Sequence, residues 1–253
     1  MDPRRSRSYP RQSHSHPQSK TEAARRSLTA IGTALLLDLG RRSYADTWQL
    51  QRALHAEVAA GRERDVWIAV EHDPVVTIGR QGKTNSLRVP RETLLAQGVE
   101  VHEIERGGDV TYHGPGQVVI YPIMRLPRFR EIVPLVRKLE EAAIAACTRY
   151  GITAERWSAH AGAWVGSNCV CAIGLAVQKM TSLHGMALNA STTLDYDRLI
   201  NPCGLIDRGI TSLSHETGRL VSYDDAKGVL LEELSRVFDV TFVTASESAR
   251  KAS

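Results

Sequence analysis

The run Arg106-Gly-Gly-Asp-Val-Thr-Tyr-His-Gly-Pro-Gly-Gln117 places five Gly or Pro residues in twelve positions, between two β-rich stretches at 99–104 and 117–124. A helix does not persist through so many residues that lack a side chain or a backbone donor. The chain is therefore expected to pass from strand to strand through a loop here. Gly107 and Gly108 permit backbone angles closed to other residues, which lets a main chain approach a ligand and aim its N–H groups at it. Arg106 suits a carboxylate or phosphate, Tyr112 gives an aromatic wall, and His113 gives a titratable group. A tight β-turn around a structural histidine is the competing account. No Gly-Lys-Ser/Thr follows, so the run is not a P-loop, and its glycine spacing is not that of a dinucleotide-binding turn.

Elsewhere strand and helix signals are mixed. Strands are expected at 30–39, 66–70, 75–78, 163–165, 170–177, 185–189 and 240–243, with His72-Asp73-Pro74 as a breaker. Helices are expected at 44–60, where Leu50, Ala53, Leu54 and Val58 form a stripe, and at 92–97, 132–150 and 224–238. Ser222-Tyr-Asp-Asp225 reads as a capping box for the last of these. Strands cluster and helices do not alternate strictly with them. The expectation is an α+β fold, a mixed β-sheet with flanking helices, in one domain over 28–243.

Charge separates the ends from the body. Residues 1–26 carry seven Lys/Arg against Asp2 and Glu22, a net of +5, so of the chain's total of +4 the remainder holds −1. The body is thus not a basic nucleic-acid-binding domain. The first 27 residues are Arg-, Ser-, His- and Pro-rich and read as a disordered tail. A transit peptide is the alternative, against which Pro3, Pro10 and Pro17 argue. Residues 244–253 read as a second tail. No apolar run approaches the roughly 18 residues of a membrane span, no apolar segment follows the basic start as in a secretory signal, and four Cys do not make a disulfide scaffold.

Two further segments hold candidate chemistry. In Asn201-Pro-Cys-Gly204, Cys203 sits on a turn between Pro202 and Gly204. It is either a presented nucleophile or an inert loop thiol. Ala172-Ile-Gly174 and His184-Gly-Met-Ala-Leu-Asn189 put Gly and small residues on strands, where Gly marks a close approach, a bulge or a packed strand pair.

These segments, together with Val76-Thr-Ile-Gly-Arg-Gln-Gly-Lys83, resemble the lipoyl(octanoyl) transferases in order and spacing across about residues 30–240. The resemblance implies a catalytic domain of the biotin/lipoyl protein ligase type. It implies that octanoyl passes from octanoyl-acyl-carrier protein to Cys203 as a thioester. A lysine then takes it, on a lipoyl domain of a 2-oxo acid dehydrogenase complex or on the glycine-cleavage H protein. Arg106, Gly107, Gly108, Asp109, Val110, Thr111, Tyr112, His113, Ala172, Ile173, Gly174, Gly185, Met186 and Ala187 fall on the family's substrate-binding stretches. Met186, Leu188 and Val118 are the expected apolar walls, and N–H groups near Gly204 or the Gly107–Gly108 turn the expected oxyanion donors. No cofactor, resident metal, nucleic acid or membrane partner is implied, and the cytoplasm is the expected compartment.

One position departs from the family. The lysine that depresses the cysteine's pKa stands three residues before the Ala-Ile-Gly element, and here that residue is Cys169. Lys83, His113, Lys179 and His184 are candidates to replace it. A slow or specialised transferase, a binding homologue without turnover, and a deliberate change are the other accounts. Cys169 facing Cys203 would allow a disulfide that blocks acylation, against two reduced buried thiols. A zinc site from Cys169, Cys171 and Cys203 with a histidine fits by ligand type, but the Cys-x-Cys spacing is a weak signal, and strict alternation places Cys169 and Cys171 on one face. Cys147 reads as core.

Overall fold

The structure is a computed structural model that describes residues 32–82, 86–200 and 209–245. The basic tail, Lys83, the whole Asn201–Gly204 segment with Cys203, and 246–253 lie outside the described residues. The elements are β1 (Gly32–Arg42), α1 (Tyr44–Ala59), β2 (Val66–His72), β3 (Val75–Ile78), α2 (Arg91–Ala96), β4 (Glu100–Glu103), β5 (Val110–His113), β6 (Gln117–Ile123) and α3 (Ile132–Arg149). They continue with β7 (Glu155–Trp157), β8 (His160–Val165), β9 (Asn168–Gln178), β10 (Thr181–Asn189), β11 (Gly209–Ile210), α4 (Leu213–Thr217), α5 (Tyr223–Phe238) and β12 (Val240–Thr244).

The main sheet has the order β12-β1-β2-β6-β10-β9-β8-β7, with β11 beside β9. β1 runs parallel to both β12 and β2, and β6, β10, β9 and β8 pair antiparallel. A small sheet, β4-β3-β5, holds the start of the glycine run's strand against β3. This is the mixed α+β architecture that the sequence pattern indicated.

The near-continuous apolar runs of β2 and β6 follow from burial on both faces. Trp67, Ala69, Val118 and Ile120 pack under Leu139, Ala142 and Ala146 of α3 and Leu230 and Leu234 of α5. Val66, Ile68, Val70, Val119 and Ile123 face Leu54 and Val58 of α1. α1 opens on Ser43, whose Oγ accepts the Asp46 N–H, and α5 on Ser222, whose Oγ accepts the Asp225 N–H.

Several details differ from the sequence reading. β10 begins at Thr181 and not at 185, because β9 and β10 form a hairpin through Lys179 and Met180, both left-handed at φ 48° and 58°. That turn normally announces itself with Asn-Gly. The glycine run contains a strand, β5, paired antiparallel with β3. A short helix, α4, follows the cap Ser212. In β9, Ala163↔Cys171 and Trp164↔Cys169 are successive pairings with β8, so two steps on β9 oppose one on β8. This bulge at Val170 breaks the alternation. Cys171 goes into the core with Cys147, while Cys169 turns to the opposite face beside Ala172. The two cysteines do not share a face, and the Cys-x-Cys zinc arrangement fails on that geometry.

Candidate active site

The glycine run lies across β9 and roofs a cavity of about 950 Å³. The Gly107 N–H donates to the Leu175 carbonyl at 2.9 Å, and the Arg80 and Gln81 N–H groups donate to the carbonyls of Arg106 and Gly108, both at 3.1 Å. Arg106 ties this roof to β3. Its Nη2 donates to Thr77 O at 2.8 Å and Thr77 Oγ1 at 3.1 Å, and its Nη1 donates to Gly107 O at 3.0 Å. Glycines make room for it: a Cβ on Gly79 would lie 2.8 Å from Nη1, and one on Gly174 3.1 Å from Cδ. Arg106 is thus committed to backbone carbonyls rather than to a ligand's carboxylate or phosphate. Gly107, whose N–H is held by Leu175, is likewise removed as an oxyanion donor. Gly185 serves strand packing, since a Cβ there would press on the Ile120 backbone and Pro122.

The fold gathers most of the singled-out residues. Arg106, Gly107, Gly108, Asp109, Val110, Thr111, His113, Ala172, Ile173, Gly174, Gly185, Met186 and Ala187 all line the cavity. Tyr112 does not; strand alternation turns it away to stack on Tyr196, with ring centroids 4.2 Å apart. Together with Cys169 it borders a small adjoining space of about 30 Å³. Val118 and Leu188 are corrected as apolar walls: their registers point them under α3, and Val119 and Ala187 face the cavity in their place.

At the base lies a buried ring cluster. His72 Nδ1 is 3.0 Å from the Arg42 carbonyl, which can only accept, so Nε2 accepts the Tyr121 hydroxyl at 2.9 Å. Burial pushes the His72 pKa down to about 4. His113 donates through Nδ1 to Gln117 Oε1 at 2.7 Å, and Gln117 Nε2 donates on to Asn189 Oδ1 at 2.9 Å. Burial, with His72 beside it, lowers His113 to about 3. Both imidazoles are therefore neutral near pH 7. Burial also raises the hydroxyl pKa values of Tyr44 and Tyr121. His184 is left-handed at φ 60°, with its N–H on Gln51 Oε1 at 3.0 Å and its Nε2 3.7 Å from Glu105 Oε2. Burial lowers its pKa, whereas His184, with Arg52 adding, holds Glu105 below the ordinary carboxylate range.

Among the candidate replacement bases, His113 and His184 line the cavity, whereas Lys179 is exposed on the β9–β10 turn and does not. The Cys147 thiol is buried with its pKa pushed up to about 12. Arg80, from the Val76–Lys83 segment, lines the cavity too, as do Tyr44, Tyr121, Ile132, Val136 and the stretch 159–161, which carried no local sequence signal. Tyr121 sits in an apolar strand run, and Tyr44 opens a helix.

The domain shape is that of lipoyl-ligase catalytic domains. The chain superposes on a lipoate-protein ligase A bound with ATP at a TM-score of 0.67 and 18% identity, covering 87% of this chain and 91% of that one. It superposes on an archaeal bipartite lipoate protein ligase from Thermoplasma acidophilum at 0.66 and 17%, covering 87% and 90%. The family model "Lipoyl protein ligase A/B catalytic domain" matches residues 43–235. An octanoyltransferase of Caldicellulosiruptor saccharolyticus is 43% identical over 202 residues, 79% of this chain and 86% of that one. One from Mycobacterium leprae is 40% identical over 221 residues, 84% and 92%. The chain belongs to the lipoyl protein ligase A/B family, within its lipoyl(octanoyl) transferase branch.

Proposed function

We propose that this chain transfers octanoyl from octanoyl-acyl-carrier protein, through a thioester on Cys203, to a lysine of lipoyl domains. The acceptors are dehydrogenase E2 subunits and the glycine-cleavage H protein, and the compartment is the cytoplasm. The about 950 Å³ cavity carries this reading, because it joins the glycine run to β9 and β10 in a chain about 40% identical to octanoyltransferases. Met186, Val119, Ile173 and Ala187 give it apolar wall, and each methylene buried there contributes roughly 0.8 kcal/mol. Exchange of a thioester for a thiol is nearly isoenergetic, so loading needs no ATP. Formation of the lysine amide is downhill and drives the second step. His184 lines the same space as a candidate proton acceptor for the incoming amine, whereas His113, held at a pKa of about 3, is too weak a base for that step.

The experiment is intact-mass measurement of the chain after incubation with octanoyl-carrier protein, with peptide mapping. An octanoyl increment on Cys203 that a lipoyl domain then removes is the expected result. The second reading, a binding homologue without turnover, rests on the resemblance that sets Cys169 at the lysine position, and is supported by one observation: that thiol is buried. Absence of the adduct even at alkaline pH, with acyl-carrier binding retained, establishes that reading in place of the first.

A further inference from the structure

Just before α3, and over its first turn, the chain exposes apolar surface beside the cavity. Phe129 is 71% exposed and Val133 64%. Residues 129, 132, 133 and 136 follow helical spacing and share one stripe. Ile132 and Val136 line the cavity, so Phe129 and Val133 continue its apolar wall out over the rim.

The charge around this stripe is mainly positive. Residues 125–138 carry Arg125, Arg128, Arg130, Arg137 and Lys138 against Glu131, a net of +4, on a body whose total from residue 27 onward is −1. Arg137 is drawn to buried Glu140 at 2.7 Å and Arg130 to Glu131 at 3.6 Å, while Arg128 is exposed between Pro127 and Phe129. A basic rim around an apolar centre matches an acidic partner that presents an apolar side chain.

Resting on the acyl-transfer reading above, we propose that residues 128–133 are the docking site for the acyl donor, an acidic acyl-carrier protein. An acidic helix of the carrier sits on Arg128 and Arg130 and lays an apolar side chain on Phe129 and Val133. The arm that bears the thioester enters past Ile132 and Val136, with its phosphodiester within reach of the guanidiniums. The donor fits this face better than the acceptor does. The acyl chain is the group the apolar wall takes, and it arrives on the donor, whereas the acceptor brings a single lysine.

The test measures binding of the full chain to a carrier protein whose octanoyl group is held by an amide in place of the thioester, at low and high salt. The variants are Arg128→Glu with Arg130→Glu, and Phe129→Ser. Both change exposed side chains, and unchanged melting temperatures check their folding. The expected result is a rise in carrier Kd of about 10-fold or more in each variant, and weaker wild-type binding at high salt. Loading from octanoyl-pantetheine, which lacks the carrier, and affinity for a lipoyl domain stay unchanged. A carrier Kd that does not move, no wild-type binding, or a loss confined to the lipoyl domain overturns the docking proposal. Failure of wild-type chain to take octanoyl from octanoyl-pantetheine, with carrier binding as expected, overturns the transfer reading and leaves the docking site standing.

Discussion

Arg106 Nη2 lies 2.8 Å from the Thr77 carbonyl oxygen, so the cation that opens the glycine run fastens β3 to the cavity roof. Replacing Arg106 with Ala removes its buried hydrogen bonds to Thr77 and to the Gly107 carbonyl and leaves a void between Gly79 and Gly174. A loss of about 2–4 kcal/mol in unfolding free energy is expected, by chemical denaturation, with octanoyl binding weakened in parallel. An Ala variant as stable as wild type contradicts this bracing role.

Stability is expected to fall on mild acidification. His72 and His113 have folded pKa values of about 4 and about 3, below the roughly 6.5 of an unfolded histidine. Between those limits the unfolded chain binds more protons, so stability rises with pH there and is lost as pH falls from about 6.5 toward 4. The slope is about 1 kcal/mol per pH unit for each such histidine. Denaturant midpoints at pH 7, 6 and 5 measure it, and a flat profile refutes it.

On the resemblance that sets the family's lysine at position 169, placing Lys there puts a cation beside the proposed nucleophile. A thiol at its ordinary pKa of about 8.5 is only about 3% thiolate at pH 7, and an ammonium that lowers it by one to two units raises that fraction about 8- to 25-fold. The adjoining space is only about 30 Å³, so the longer side chain extends past Ala172 and Ala187, which border both cavities. Faster octanoyl loading of Cys203 is expected in an intact-mass time course. An unchanged rate assigns the proton transfer to another base.

Ala172→Leu narrows the cavity. With roughly 0.8 kcal/mol per methylene, loss of room for two carbons lowers use of octanoyl donors about ten-fold relative to butanoyl donors. Competition between the two thioesters reads the ratio, and an unaltered preference shows that the chain lies elsewhere.

Much of this architecture is written locally. β2 and β6 are legible because strands buried on both faces are apolar at every position, and α5 because Ser222 caps it within three residues. The cavity residues are legible where glycine is required, as at Gly79 and Gly174, since only a missing side chain lets β3 and β9 close on Arg106. The β9–β10 turn escapes notice because Lys179 and Met180 adopt left-handed angles that their side chains do not advertise.

The sequence alone determined the α+β class and the segments that converge on the cavity, because hydrophobic periodicity, glycine placement and caps act over a few residues. Only the tertiary structure decided which way each side chain points. A one-residue bulge at Val170 sends Cys169 and Cys171 to opposite faces, and pairing with β3 turns Tyr112 from the cavity to Tyr196. Those orientations depend on strand register, which is set by partners distant in the chain and is not encoded at the residues themselves.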